Sequence, residues 1–183
     1  MSNVDAVELM LEYCYRKEYT PIEPFASYTG MERAEEHFTQ HYHVTRLAEE
    51  FNVEGLYNYA LPKLHKLVQE MMRMPRVPND VYDRMNFLVH IVDTSYKGRG
   101  CIVRGKALVV DSDAVDGTAV KDVPAVVCEA VATVWAGASE LGDDRQDEKM
   151  VIRRSVKKLC MMWPWFASDL VAWMAEKGVE LKL

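Results

Sequence analysis

Apolar residues recur at helical spacing along most of this chain. Val4, Val7, Met10, Leu11 and Cys14 place one apolar stripe on a helix of about three turns, with Ser2 as its N-cap and Asp5 supplying negative charge to its first turn. Residues 16–30 lack that period and are punctuated by Pro21, Pro24 and Gly30, which predicts a connector. The connector carries an unusual apolar load for a loop: Tyr19, Ile22, Phe25 and Tyr28. From Ala34 to Phe51 the period returns as Tyr42, Val44, Leu47, Ala48 and Phe51. Asn52 tolerates the left-handed backbone that closes a helix. A further helix follows through Leu56, Tyr57, Ala60, Leu61, Leu64, Leu67, Val68 and Met71. Pro62 lies inside that pattern, lacks an N–H and conflicts with the carbonyl of Asn58, so a kink or a break is expected there.

Beyond a hinge at Met74-Pro75-Arg76-Val77-Pro78, Asn79 or Asp80 can cap a helix with the stripe Val81, Met85, Leu88, Val89 and Val92. Residues 97–122 are irregular and hold Gly98, Gly100, Gly105 and Gly117; within them Cys101 to Val110 suits a short strand or an extended arm. Three more helices are expected. Asp122 and Pro124 open one with Val127, Val131, Val134 and Ala138. Lys149 to Met161 gives Ile152, Val156, Leu159 and Cys160, and Trp163-Pro164-Trp165 opens a last one that Gly178 ends. The expected fold is therefore mainly α, about seven helices, with little or no sheet; any strand falls near Cys101–Val110 or at the C-terminus. No fixed-period repeat is present, so a solenoid is not expected.

Composition narrows the class. Of 183 residues 49% are hydrophobic, enough to bury a core and to argue against disorder. The formal net charge of −6 repels nucleic acid unless a local basic patch overrides it. The dense basic cluster, Arg153, Arg154, Lys157 and Lys158, falls on a predicted helix and is expected to be a solvated face. No apolar run approaches the ~20 residues of a membrane helix, and the N-terminus lacks a secretory pattern. Cys14, Cys101, Cys128 and Cys160 form no CxxC pair, and three lie in apolar helical patterns, so buried free thiols in a reducing compartment are expected. The expected setting is cytoplasmic or nuclear, with no nucleic-acid or membrane partner and no cofactor.

Candidate chemistry is sparse. His37 and His41 are four apart, with His43 nearby, and can share a helix face as metal ligands; Glu35 or a distant cysteine would have to complete the set. Cys101 lies near Arg99 and Arg104, which favour a thiolate, but no histidine base is close in sequence. Asp111 with Asp113, and Asp143 with Asp144, lack the offsets of a calcium loop, and the glycines around Gly98 form no nucleotide-binding pattern. No metal site, cofactor site or catalytic constellation is expected. Trp135, Trp163, Trp165 and Trp173 crowd the last third of the chain; most are expected in the core, one or two exposed, with Met161, Met162 and Met174 as the makings of an adaptable partner groove.

Two stretches resemble a known family. Residues 5–19, DAVELMLEYCYRKEY, resemble the third long helix of a BTB/POZ domain and the turn after it, with Val7, Leu11, Tyr13, Tyr15 and Tyr19 at matching positions. Residues 42–71 resemble the helical hairpin that closes that fold, through His43, Leu47, Ala48, Phe51, Val53, Leu56, Ala60 and Leu64. Val81–Tyr96 and Trp163–Trp173 resemble the helical extension of many fungal BTB proteins, which ends in a segment like Phe166-Ala167-Ser168-Asp169-Leu170. The resemblance implies a truncated BTB/POZ-like helical module over 1–75 and a helical extension over 76–183. The strands and first helices of that family have no counterpart here, and Pro62 departs from its pattern. By resemblance the chain is expected to be a protein-interaction or adaptor protein and not an enzyme, linked to recruitment by cullin-type ubiquitin ligases. The implied contact segment is Glu18–His43, with Tyr19, Ile22, Phe25, Tyr28 and Met31 as partner-binding candidates. The alternatives are a small enzyme or metal-binding protein using Cys101 or His37/His41, and a truncated gene product without independent activity. The reading requires Leu47, Leu56 and Leu64 to be interior.

Overall fold

The structure is a computed structural model. It describes residues 3–23, 30–73, 80–97, 122–139, 141–142 and 145–178. Of these, 88% are helical and none is in a strand, so the fold class is all-α. Seven helices follow in order: α1 (Asn3–Arg16), α2 (Gly30–Glu50), α3 (Glu54–Arg73), α4 (Asp80–Tyr96), α5 (Val123–Ser139), α6 (Gln146–Met162) and α7 (Pro164–Lys177). The expectations for Ser2, for the hinge at 74–78, for a strand at 101–110 and for the residues after Gly178 lie outside the described residues.

The described residues divide into two compact units, one containing 3–71 with 122–123, the other 72–97 and those from 124 onward. In the first, α1 packs on α2. The buried face of α1 is Ala6 and Leu9, with Tyr13 half-buried. The expected stripe is thus displaced: Leu11 is 48% exposed and Cys14 is exposed. The physical reason is that α1 carries two apolar arcs, and the one with the small Ala6 lets it lie close to α2. α2 buries Phe38, Val44 and Ala48, and α3 buries Leu56, Ala60, Leu64 and Val68.

The α2–α3 corner follows from one residue. Asn52 adopts φ 54°. Its N–H donates to Glu49 O at 3.2 Å, and the N–H of Val53 reaches Ala48 O at 2.8 Å, which together satisfy carbonyls that the helix end would leave open. Phe51, expected in the α2 stripe, is 59% exposed, because it belongs to this turn and no longer to the helix; Leu47 is only half-buried. α3 runs through Pro62 without interruption. Pro62 and Asn58 are both exposed, so water can serve the carbonyl that proline leaves without a donor.

In the second unit α6 packs on α4 and α7. α6 begins with Asp147 and Glu148 in its first turn, where negative charge favours the helix dipole, and buries Ile152, Val156 and Leu159. Pro164 opens α7 and Gly178, at φ 64°, ends it. Phe166 and Leu170 are buried, Phe166 meets Tyr96 edge-on at 5.5 Å, and the Tyr96 hydroxyl donates to Asp169 at 2.9 Å. Val89, expected inside α4, is 40% exposed, since Phe87, Leu88, Ile91 and Val92 already fill the inward arc. Cys128 is buried; Cys160 is half-buried, and burial pushes its thiol pKa up, which disfavours the thiolate.

Candidate interaction surface

The connector after α1 is held by a small set of side chains from all three helices of the first unit. Lys17 ends α1 with its N–H on Tyr13 O at 2.8 Å and takes the left-handed backbone, φ 61°. That conformation costs a non-glycine residue about 1 kcal/mol, so the following segment must be fixed by other contacts. It is. The Thr20 N–H donates to Glu12 Oε2 at 3.1 Å, while Glu12 Oε1 accepts from Arg16. Two residues on, Gln40 of α2 acts as a clamp. The Ile22 N–H donates to Gln40 Oε1 and the Gln40 amide donates to Ile22 O, both at 2.8 Å. Gln40 is buried, so its amide satisfies a strand-like pair of main-chain groups that have no secondary structure of their own.

Just before those two pins lies Tyr19. It is 2% exposed, and its hydroxyl meets His41 Nδ1 at 2.6 Å. Its ring lies edge-on to Tyr59 at 5.5 Å, and Tyr59 in turn meets Tyr13 at 5.4 Å. Lys63 Nζ stands 4.4 Å from the Tyr59 ring centroid and 5.4 Å from that of Tyr19, within cation–π range. Gly55 completes the packing, since a Cβ there would lie 2.9 Å from Tyr13 Oη.

The electrostatics set the charge states. Burial pushes the His41 pKa down to about 4, helped by the charges of Lys63 and His37. Burial pushes Tyr19 well up, with Tyr59 adding to it. At neutral pH Tyr19 and His41 are therefore both uncharged, and the hydrogen bond between Tyr19 Oη and His41 Nδ1 joins two neutral groups, its donor set by the imidazole tautomer. Both shifts move away from the range in which acid–base catalysis at neutral pH works, so this cluster is suited to holding the connector in place.

The five candidate contact residues are placed unequally. Tyr19 faces inward as the anchor. Ile22 is 44% exposed beside the clamp. Met31 is half-buried in the first turn of α2. Phe25 and Tyr28 lie outside the described residues, as does Cys101. His41 is engaged by Tyr19, whereas His37 Nε2 is buried without a hydrogen-bond partner among the described residues. Among the described residues no group of three or more His, Cys, Asp or Glu side chains could hold a metal.

The second unit holds a cavity of about 60 Å³ lined by residues that include Val81, Arg84, Val134 and Ile152, with the Arg145–Glu148 ion pair at 2.8 and 2.5 Å on its wall. That is about two water volumes, far below the several hundred Å³ of a cofactor pocket. Among the described residues no helix is long and apolar enough to cross a membrane. Comparison with protein-family models, with curated proteins and with solved structures returned no match to this chain.

Proposed function

We propose that this chain is a non-catalytic protein-interaction or adaptor module of BTB/POZ type, which docks its partner along the connector between α1 and α2. The observation that carries this reading is the Gln40 clamp. It fixes the main chain at Ile22 while leaving the Ile22 side chain 44% exposed. An apolar residue presented on a pre-ordered segment loses little conformational entropy on binding, which favours its use as a contact. The BTB-like order of helices supports the same assignment and makes a cullin-type ubiquitin-ligase scaffold the candidate partner, with Phe25, Tyr28 and Met31 as further contacts.

The test is binding of the wild-type chain and of Ile22→Asp and Phe25→Ala/Tyr28→Ala variants to the amino-terminal region of a cullin scaffold, alongside affinity purification. Ile22→Asp is expected to weaken binding by about tenfold or more, as truncation of a central contact does, without lowering Tm. Retention of every partner by both variants would remove this surface from the account.

A further inference from the structure

The outward face of α6 gathers charge of one sign. From Lys149 to Met162 the chain has five basic residues and no acidic one, and Arg153, Arg154, Lys157 and Lys158 are all exposed. Among the described residues Arg154, Lys157 and Lys158 form no ion pair. The Arg153 guanidinium lies 5.9 Å from the Trp135 ring centroid. This stripe runs into an apolar corner. Trp163 ends α6 and precedes α7, and around it Met161 is 75%, Met162 51% and Trp165 62% exposed. Met174, by contrast, is buried, so the apolar trio does not extend into a groove with it.

We propose that this corner docks on an anionic lipid bilayer, with Met161, Met162 and Trp165 at the hydrocarbon boundary, Lys157 and Lys158 among the headgroups and Arg153 and Arg154 in the water just above them. Three arguments favour that occupant. Charge complementarity demands an anionic partner. The spacing matches the layering of a bilayer: at 1.5 Å per residue Lys157 and Lys158 lie about 5–6 Å back along α6 from Met161, and Arg153 and Arg154 about 10–12 Å. A headgroup layer is about 5–8 Å deep, so the first pair falls within it and the second lies a few Å outside it, still within a Debye length of the charged surface. Finally, each member of the trio is more than half exposed at a helix–helix corner and so projects from the surface. A bilayer needs no matching hollow to receive it, whereas a nucleic-acid backbone would leave it in water. Tryptophan and lysine beside one another are the side chains that anchor at such an interface.

The sequence-based expectation of no membrane partner rested on the lack of a spanning segment, and the net charge of −6 would itself disfavour an anionic surface. Peripheral docking needs no spanning segment, and the charge is unevenly shared. The described residues of the first unit hold six Lys and Arg against thirteen Asp and Glu; those of the second hold ten against eight.

Co-sedimentation of the full chain with phosphatidylcholine vesicles, with and without phosphatidylserine, tests this. Binding is expected only with phosphatidylserine and weakens as salt is raised. Lys157→Ala/Lys158→Ala is expected to lower partitioning about thirtyfold, from the worth of two cations near a charged surface, and Trp165→Ala about tenfold. Lys66→Ala, an exposed cation of the first unit, is expected to leave it unchanged. All these side chains are exposed, and an unchanged Tm verifies that each variant folds. Failure to sediment with phosphatidylserine at low salt, equal sedimentation with neutral vesicles, or full retention by the double lysine variant overturns the proposal. So does binding to a DNA duplex or to polyglutamate without vesicle binding, which would assign the face to a soluble polyanion. The outcome is independent of Ile22 and hence of the adaptor reading.

Discussion

The two units are built from the same kind of element and are specified differently. The first buries Gln40, His41 and Thr45 beside its apolar residues; in the second Ser95 is the polar residue buried among the described ones. In the first unit hydrogen bonds of fixed geometry decide where a stretch of non-helical chain lies. In the second, aliphatic and aromatic packing around Phe166, Leu170, Val156 and Leu88 does nearly all the work. Apolar packing tolerates changes of pH, whereas a buried polar cluster is satisfied in one protonation state alone. The difference teaches which unit is tuned and which is merely stable.

The largest expected effect breaks the apolar side of this contrast. Phe166→Ala should destabilise the second unit by about 3–5 kcal/mol, the usual cost of emptying a fully buried aromatic position. All four tryptophans lie in that unit, so their fluorescence reports its unfolding directly. An unchanged tryptophan melting curve would show that Phe166 is not a core residue.

Acid sharpens the contrast from the other side. His41 has a folded pKa of about 4 against an unfolded value near 6.5, so the unfolded chain binds its proton first. Stability from this group is complete above pH 6.5 and is lost as pH falls toward 4, by about 3 kcal/mol. His43, also pushed down by burial, adds in the same direction. The tyrosine near-UV signal, dominated by the first unit, should therefore melt earlier at pH 5 than at pH 7, while the tryptophan signal moves less. Equal acid sensitivity of both signals, or none in either, would erase the distinction. The smallest effect is that of Gln40→Leu, expected to cost about 2 kcal/mol through two lost hydrogen bonds to Ile22.

Helix content was legible because the apolar period is strong in α3 and α6, and because Asn52 and Gly178 carry their backbone conformations in their identities. The face of α1 was not. Val7, Leu11 and Cys14 make a regular stripe, but Ala6 and Leu9 make another, and only the position of α2 decides between them. Phe51 misled because a helical period extrapolates one residue past the true end. In the candidate site, Tyr19 and Ile22 stood out as apolar residues in a connector. Gln40, Tyr59 and Lys63 did not, because a glutamine in a helix signals a clamp only when the segment it clamps is in view. His41 drew notice as a metal ligand, yet its partner is a tyrosine 22 residues earlier in the chain.

The clamp on the connector is tested most directly by amide hydrogen exchange at Ile22, compared between the wild-type chain and Gln40→Leu at neutral pH. Protection of the Ile22 amide in the wild type, lost in the variant while the amides of α2 stay protected, is the predicted result. An Ile22 amide that already exchanges at the rate of an unstructured chain in the wild type would contradict the account.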